Sequence, residues 1–344
     1  MRLLVTGGAG YIGSHAVLRL LEDGHEVTVV DSLVRGHQGA LDTLARIGGG
    51  RFRAEIADLS DTERLESILR SRGVEAVLHF AALAYVGESV EQPLRYHSVN
   101  ACGSLSLLRA MTAAGVGRLV FSSTCATYGE PAADRVPIRE DCPQQPINPY
   151  GRSKLYVEQV LRDRVDAAQR SGEPFGFVAL RYFNVAGADR EARIGEDHRP
   201  ETHLVPICLE VAQGKRPRMS ILGTDYPTPD GTCVRDYVHV EDLIEAHVLA
   251  LGALAMGEGR AWNVGIGRGH SVREVLESCR RVTGRKIEAV EAPRRPGDPP
   301  TLYADAGRIR SDLGWKPRFD TLDAIVESAW RWHDSHPDGY GSAS

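Results

Sequence analysis

The chain has 344 residues, enough for one large domain or two closely joined ones. Apolar residues make up 42% and charged residues 25%, the balance of an ordinary globular protein, and a net charge of −5 argues against a broad basic surface for nucleic acid. The six cysteines (Cys102, Cys125, Cys142, Cys208, Cys233, Cys279) contain no CxxC pair, and no apolar run approaches membrane-spanning length. Neither a disulfide framework nor a metal site is therefore expected. The opening on RLLVTGG leaves no room for a signal peptide, so a cytoplasmic location is expected, with no membrane and no nucleic-acid partner.

In chain order, RLLVTG, HEVTVVD, RFRAEIAD, AVLHFAA, RLVFSST and FGFVALRYFN read as strands. Several are almost continuously apolar, which suits strands buried on both faces of a parallel sheet. Helical patterns lie between them. Ala16, Val17, Leu20 and Leu21 share a face after Gly13, and Gly24 ends that helix. DTERLESILRSRG opens on the capping residue Asp61 and closes on Gly73. Two longer helices are predicted over 93–114 and 149–170. This alternation predicts an α/β fold built on a doubly wound parallel sheet.

After Asn184 the alternation becomes irregular. GADREARIGEDHRPETH and GTDYPTPDGTCVRDY, rich in Gly, Pro and Asp, read as long loops, which in a compact enzyme are usually functional. Helices over 204–213 and 272–283 belong to a smaller mixed α/β part. The expected division is a Rossmann-type dinucleotide-binding domain over 1–184 and a mainly substrate-binding part over 185–344, some of whose segments return to pack on the first. The tail GYGSAS is expected to fray.

VTGGAGYIG places Gly7, Gly8, Gly10 and Gly13 between the first strand and the first helix. A tight turn and a close backbone approach to pyrophosphate both need residues without a β-carbon, and the following helix aims free N–H groups at the phosphates. The spacing is GxxGxxG rather than GxGxxG, so its strength lies in its place between strand and helix. Asp31 closes the second strand, where a carboxylate accepts from ribose hydroxyls and repels the extra phosphate of NADP. Arg35 follows nearby, so NADP stays open while Asp31 favours NAD. Asp58, at the end of the third strand, is either a partner for the adenine amine or a turn aspartate.

Tyr150 and Lys154 are spaced i, i+4 and so share a helix face. An unperturbed tyrosine has a pKa of about 10, too high for a base at neutral pH. A neighbouring ammonium and an oxidised nicotinamide are expected to lower it. Thr124 ends the fifth strand, where its hydroxyl can share a proton with a substrate alcohol. YxxxK alone is a solvated pair on most helices; the glycine turn, the acid and the strand-end hydroxyl give it weight. Tyr128 is a rival tyrosine without a partner lysine.

With VTGGAGYIGSH, HFAALAYVGESV, FSSTCATYGEP, NPYGRSKL, LRYFNVAGA, GTDYPTPDGTCVRDYVHVEDL and RRPGD present in order, the chain resembles the UDP-glucose (UDP-galactose) 4-epimerases among the extended short-chain dehydrogenases/reductases. The resemblance covers nearly the whole length. It implies an NAD-dependent isomerase that inverts C4 of a UDP-sugar through a 4-keto intermediate, with Tyr150 as base, Lys154 as its activator and Thr124 as helper. It implies NAD contacts from Gly7, Gly10, Tyr11, Ile12, Gly13, Asp31, Asp58, Leu59, Phe80, Ala81, Ala82, Asn100, Tyr150, Lys154 and Tyr182. The UDP-sugar would meet Thr124, Asn184, His203, Ser220, Ile221, Leu222, Arg235, Arg295, Asp298 and Leu302. A diphosphate independently calls for guanidinium forks, and Arg235 and Arg295 sit in or beside Gly/Pro-rich loops. The resemblance also implies a homodimer built from the two long helices.

Departures from the best-known bacterial pattern are Thr124 for a serine, Ala84 for a lysine, His203 for an asparagine and Leu302 for a large tyrosine. The last opens the possibility of N-acetylated sugars such as UDP-GlcNAc. Alternatives are a UDP-arabinose/UDP-xylose 4-epimerase and, more distantly, a non-catalytic NAD-binding scaffold. A nucleotide-sugar dehydratase needs an acid beside the helper residue, where this chain has Cys125 and Ala126.

Overall fold

Strands that are apolar on both faces need cover on both faces, and the chain provides it with helices. The structure, a computed structural model, describes residues 1–295 and 298–341. Pro296 and Gly297, within the RRPGD segment, and residues 342–344, the end of the tail expected to fray, lie outside the described residues.

The six expected strands form as β1 (Arg2–Thr6), β2 (Glu26–Asp31), β3 (Phe52–Ile56), β4 (Ala76–His79), β5 (Arg118–Thr124) and β6 (Gly176–Tyr182). Among the described residues seven further strands follow: β7 (Asn184–Ala186), β8 (Met219–Leu222), β9 (Val234–His239), β10 (Gly259–Val264), β11 (Gly269–Ser271), β12 (Ala289–Ala292) and β13 (Thr301–Leu302). The main sheet runs β10–β6–β5–β4–β1–β2–β3, with every neighbouring pair parallel. Its order reverses at β1, which lies between β4 and β2. That reversal opens a crevice at the carboxyl ends of the strands, where doubly wound sheets bind ligands.

The period of two along β1 separates the core into two layers. Leu3 and Val5 pack with Val17, Leu20 and Leu243 on one face; Leu4 packs with Leu65, Leu107 and Leu161 on the other. The helices responsible are Tyr11–Glu22 and Val240–Ala253 on the first face. Thr62–Ser71, Gly103–Ala114 and Pro149–Ser171 cover the second. Asp61 caps the Thr62–Ser71 helix by accepting from Arg64 N at 3.0 Å, as its sequence position predicts.

Two expectations change. The stretch over 93–114 is helical throughout but contains a π-type turn at His97–Cys102 between two α-helical pieces. The loop expected over 223–237 ends in strand, because Val234–His239 is flanked by β7, β11 and β13, and four of its six residues are buried. β9 thus carries Arg235 beside Leu302 of β13.

A buried ion pair ties the second long helix to the sheet. Arg181 of β6 places Nη2 2.6 Å from Glu158 Oε2, with both side chains almost fully buried. Ser123 Oγ of β5 donates to Glu158 Oε1 at 2.6 Å, and Arg181 Nη1 donates to Tyr128 OH at 2.9 Å. Arg181 holds the Glu158 carboxyl below its ordinary range against the opposing effect of burial. Breaking such a pair one-sidedly costs about 3–5 kcal/mol, so it rigidly sets the helix that carries Tyr150 and Lys154. It also answers the rival tyrosine: Tyr128 donates to Asn263 Oδ1 at 2.7 Å and is a structural member of this network.

Candidate active site

The glycine turn works by close approach. Gly7 has φ +74°, and a β-carbon on it would lie 2.6 Å from Ala81 N. One on Gly13 would lie 2.0 Å from Gly7 O. The helix beginning at Tyr11 has Gly10 at its N-cap and no side-chain cap, so its first N–H groups remain available to an anion. Asp31 is buried at the end of β2, where Oδ2 accepts from Ala9 N at 3.0 Å and Oδ1 from Leu33 N at 2.8 Å. Burial raises its pKa despite these amides. The carboxylate braces the turn and keeps further lone pairs for a ligand.

One cleft of about 930 Å³ runs along the carboxyl ends of β1 to β6 and under the second half of the chain. The expected residues Gly7, Gly10, Tyr11, Ile12, Gly13, Asp31, Asp58, Leu59, Phe80, Ala81, Ala82, Tyr150, Lys154 and Tyr182 all line it. So do Thr124, Asn184, His203, Ser220, Leu222, Arg235, Arg295, Asp298 and Leu302. These residues fit a dinucleotide: a turn with no side chain where the pyrophosphate must approach, uncapped amides, and an acid at the end of β2.

Two expected residues lie behind the wall. Asn100 is buried, and its amide is taken up: Oδ1 accepts from Leu83 N at 2.8 Å, while Nδ2 donates to Leu83 O and Ser153 Oγ, each at 3.0 Å. It clamps the Leu83 turn to the helix of Tyr150. Ile221 alternates with Ser220 and Leu222 along β8, so its side chain enters the core while theirs face the cleft.

The proton-handling residues are deeply placed. Tyr150, Thr124 and Lys154 are 7%, 6% and 3% exposed. Lys154 Nζ donates to Ser122 O at 2.8 Å and lies 4.9 Å from the centre of the Phe121 ring. Burial raises the Tyr150 pKa, opposite to the direction expected from the sequence; a hydrogen bond from the Thr124 hydroxyl acts the other way but does not prevail. The same burial lowers Lys154 to about 7. Among the chain's own groups, desolvation disfavours both charged forms. Cys125, also lining the cleft, is pushed up to about 12 by burial and is an inert thiol.

In the second half, Arg235 Nη2 lies 2.5 Å from Asp298 Oδ1, and Arg295 Nη2 lies 3.1 Å from Asp298 Oδ2. One carboxylate therefore spaces two guanidinium groups on the cleft wall. The sequence reading missed Arg216, Arg218 and Tyr85, which line the same cleft. The basic KRPR run before β8 was the available signal for the arginines.

It also missed a cluster in the 187–203 loop. Glu196, His198, Glu201 and His203 each bring one ligand-type atom to within 4.8 Å of the others. His203 Nδ1 is 2.8 Å from Glu196 Oε1 and 3.3 Å from Glu201 Oε1. His198 Nδ1 is 3.1 Å from Glu196 Oε1 and 3.8 Å from Glu201 Oε2. The signal was the spacing E-x-H-x-x-E-x-H within GEDHRPETH.

Residues 3–265 match the NAD dependent epimerase/dehydratase family. A UDP-glucose 4-epimerase from Streptococcus mutans is 51% identical, with 99% of each chain covered. A probable UDP-arabinose 4-epimerase 3 from Oryza sativa subsp. japonica is 45% identical over 99% of this chain and 84% of its own. Among solved structures, UDP-glucose 4-epimerase from Bifidobacterium longum in complex with NAD+ and UDP superposes with a TM-score of 0.93 at 37% identity, covering 98% of this chain and 100% of the other.

The lysine shift sets a pH test. Its folded pKa is about 7 against an ordinary 10.5, so between those values the folded protein binds fewer protons than the unfolded chain. The penalty for burying Lys154 is complete below about pH 7 and fades as pH rises toward the ordinary lysine value. Lys154→Met removes that dependence. The stability of the variant relative to the parent should be greatest near pH 6 and fall by pH 9, read as thermal midpoints at matched cofactor load. A difference constant over this range would show that Lys154 titrates normally.

Proposed function

The chain belongs to the NAD dependent epimerase/dehydratase family, and on that premise we propose that it interconverts UDP-glucose and UDP-galactose by inverting C4 of the sugar. NAD is the resident cofactor of this reading. The observation that carries it is the convergence of Thr124, Tyr150 and Lys154 with Arg235 and Arg295 on the cleft that the glycine turn opens. A hexose is favoured over a pentose because the S. mutans UDP-glucose enzyme is 51% identical and the rice UDP-arabinose protein 45%. The proposed division is 1–184 for the cofactor and 185–344 mainly for the UDP-sugar. In it β10 and the Val240–Ala253 helix return to the first part, supported by the pairing of β10 with β6.

Gly7, Gly10 and Gly13 shape the pyrophosphate cradle, and Tyr11 and Ile12 contribute the first amides of the helix. Asp31 accepts from the adenosine ribose; Asp58, Leu59, Phe80, Ala81 and Ala82 line the adenine and linker side. When bound, NAD supplies a reversible hydride acceptor for the sugar C4. Tyr150 Oη takes the proton of the 4-hydroxyl and later returns it, while Thr124 Oγ1 holds the same hydroxyl in line. Lys154, fixed on Ser122 O one helical turn further on, keeps positive charge beside the phenol's helix face. Because burial favours the neutral phenol, Tyr150 gives up its proton only when that charge and the site's other positive charge are in place.

Arg235 and Arg295, spaced by Asp298, grip the diphosphate, and Arg218 adds a third cation to that wall. Asn184 and His203 hydrogen-bond the nucleotide-sugar; Ser220 and Leu222 offer β8 backbone. This half anchors UDP tightly and the hexose loosely, which is what a sugar that must present both faces needs. Leu302 sits on that pocket among Tyr128, Ile138 and Phe183, with an aliphatic side chain that leaves space beside the sugar.

We also propose a homodimer formed by the two long helices. Leu94 is 83% exposed, Val90 61% and Tyr156 46%, and all three lie on or next to those helices. Large apolar side chains grouped so openly mark an interaction surface. A cytoplasmic setting agrees with six free cysteines and with described helices none of which is long and apolar enough to cross a membrane.

Tyr150→Phe should reduce epimerisation of UDP-galactose by about 10²-fold or more, the usual weight of a positioned acid–base group, while bound NAD measured by absorbance stays near the parental level. Full turnover in that variant would remove Tyr150 from the chemistry. Leu302→Tyr should lower the rate on UDP-GlcNAc relative to UDP-glucose, since the ring fills the space beside C2. An unchanged ratio would clear Leu302 of any part in selectivity. Sedimentation at micromolar concentration should return about twice the 37.5 kDa chain mass, and a single-chain mass would refute the dimer.

A further inference from the structure

We propose that Glu196, His198, Glu201 and His203 form a binding site for a divalent transition ion, zinc by preference. A tetrahedral zinc ion with bonds of about 2.0–2.1 Å separates its ligand atoms by about 3.3 Å. To the oxygens that would bind, the His–Glu separations are 2.8 and 3.1 Å at Glu196 Oε1 and 3.8 Å at Glu201 Oε2, around that edge length, and the four ligand atoms lie within 4.8 Å of one another. The donor set is two imidazole Nδ1 atoms and two carboxylates. Hard magnesium and calcium ions prefer all-oxygen shells, whereas zinc accepts mixed nitrogen and oxygen.

The cluster satisfies itself only in part: Glu196 Oε1 and His203 Nδ1 form an ion pair at 2.8 Å, but the hydrogen-bond geometry is incomplete. Glu196 is 4% exposed, yet its Oε1 and the Nδ1 atoms of both histidines are buried without an aligned hydrogen bond. They stand within ion-pair distance, but the ring N–H directions miss the carboxylate oxygen. Buried groups of this polarity are normally paired, so three unaligned ones facing each other point to a missing common partner. The surroundings also suit a metal. Thr202 N and His203 N donate to Glu201 Oε1 at 2.6 and 2.7 Å, which fixes the carboxylate that would bind through its other oxygen. The rings of Tyr11 and Tyr85 stand edge-on to His198, with centroids 6.2 and 5.7 Å away, and pack against one side of the site, which is open to the cleft on the other.

The ion would act as a structural staple. The 187–203 loop contains no helix or strand, yet it brings Glu196, His198 and His203 to the cleft wall. Four ligands within eight residues would close that loop on itself and hold it against Tyr11 and Tyr85 of the first half. This inference is independent of the epimerase reading, because metal uptake is measured without turnover.

Untagged full-length protein stripped with EDTA and dialysed should bind about one Zn2+ per chain by calorimetry and elemental analysis, with release of protons and a higher thermal midpoint. His198→Ala and Glu196→Gln should each lose that uptake and the thermal response to Zn2+. Should either variant fail to fold, Co2+ added to the stripped parent protein should give the visible bands of a four-coordinate nitrogen–oxygen site. Uptake below about 0.1 equivalent by the stripped parent overturns the proposal. So does equal Zn2+ uptake by parent and folded variants, or Co2+ that gives only an octahedral spectrum; the cluster would then be an ion pair of His203 with Glu196.

Discussion

The position a β-carbon would take on Gly13, 2.0 Å from Gly7 O, expresses the constraint on which the site depends. The first helix must begin directly against the end of β1, with nothing between them. That contact sets where the helix N-terminus points and so where an anion can sit. It also fixes Ala9, whose N–H is held by Asp31 from the end of β2. On the other side, Gly7 is pressed onto Ala81 at the end of β4. Three strand ends are thereby locked around one turn, at the place where the strand order reverses. The cleft is the space left over by this packing, and larger residues at Gly7 or Gly13 would force the strands apart.

A second consequence of close packing is electrostatic. The packing that excludes water from Tyr150 and Lys154 also disfavours the charged form of each. Burial alone keeps the phenol protonated and lowers the lysine to about 7, where both of its forms are populated. Positive charge entering with a ligand would favour the Tyr150 phenolate and push Lys154 further toward its neutral form, because in a low dielectric a single added charge shifts a pKa far more than it does in water. From the sequence, the Lys154 ammonium and an oxidised nicotinamide together are expected to lower the Tyr150 pKa; the chain's own groups do not do so. The ammonium is instead anchored on Ser122 O, and desolvation is the larger effect.

What could be read from sequence follows physical range. Most of the six strands of the first half were legible as short apolar runs, the mark that burial on both faces leaves; β3, a mostly exposed edge strand, was legible from its place in the alternation instead. The cleft residues could be placed because strand ends and a helix start are local features. The clamp that takes up the Asn100 amide is tertiary and leaves no mark in composition, and Ile221, expected to contribute backbone, stands on β8 with its side chain in the core. β9 was hidden inside a Gly- and Asp-rich stretch, since its strand character comes from neighbours on β7, β11 and β13 rather than from its own residues. The E-x-H-x-x-E-x-H spacing was visible but carried no weight in a segment read only as a loop. Its meaning appears when the loop folds Glu196 between two imidazoles.

The two halves of the molecule treat charge in opposite ways, and this difference organises the cleft. The first half presents amides, a buried acid and apolar strand ends, groups that fit a dinucleotide closely and hold it by shape. The second half presents Arg235 and Arg295 tied to one Asp298; Arg235 Nη1 and Nη2 also donate to the Val234, Pro300 and Pro299 carbonyls, so its position is set by loop backbone as well as by the ion pair, and Arg295 is the less committed of the two. A partly satisfied arginine of this sort gives up little on binding, because the carboxylate has already ordered it and removed part of its hydration. The 187–203 loop lies where the halves meet. Tyr11 of the glycine helix donates to Gly187 O at 2.6 Å, and His37 in the first half pairs with Asp197 O at 2.5 Å. The loop that brings His203 to the cleft wall is therefore anchored on the helix that follows the glycine turn, so order in one part of the cleft supports order in the other.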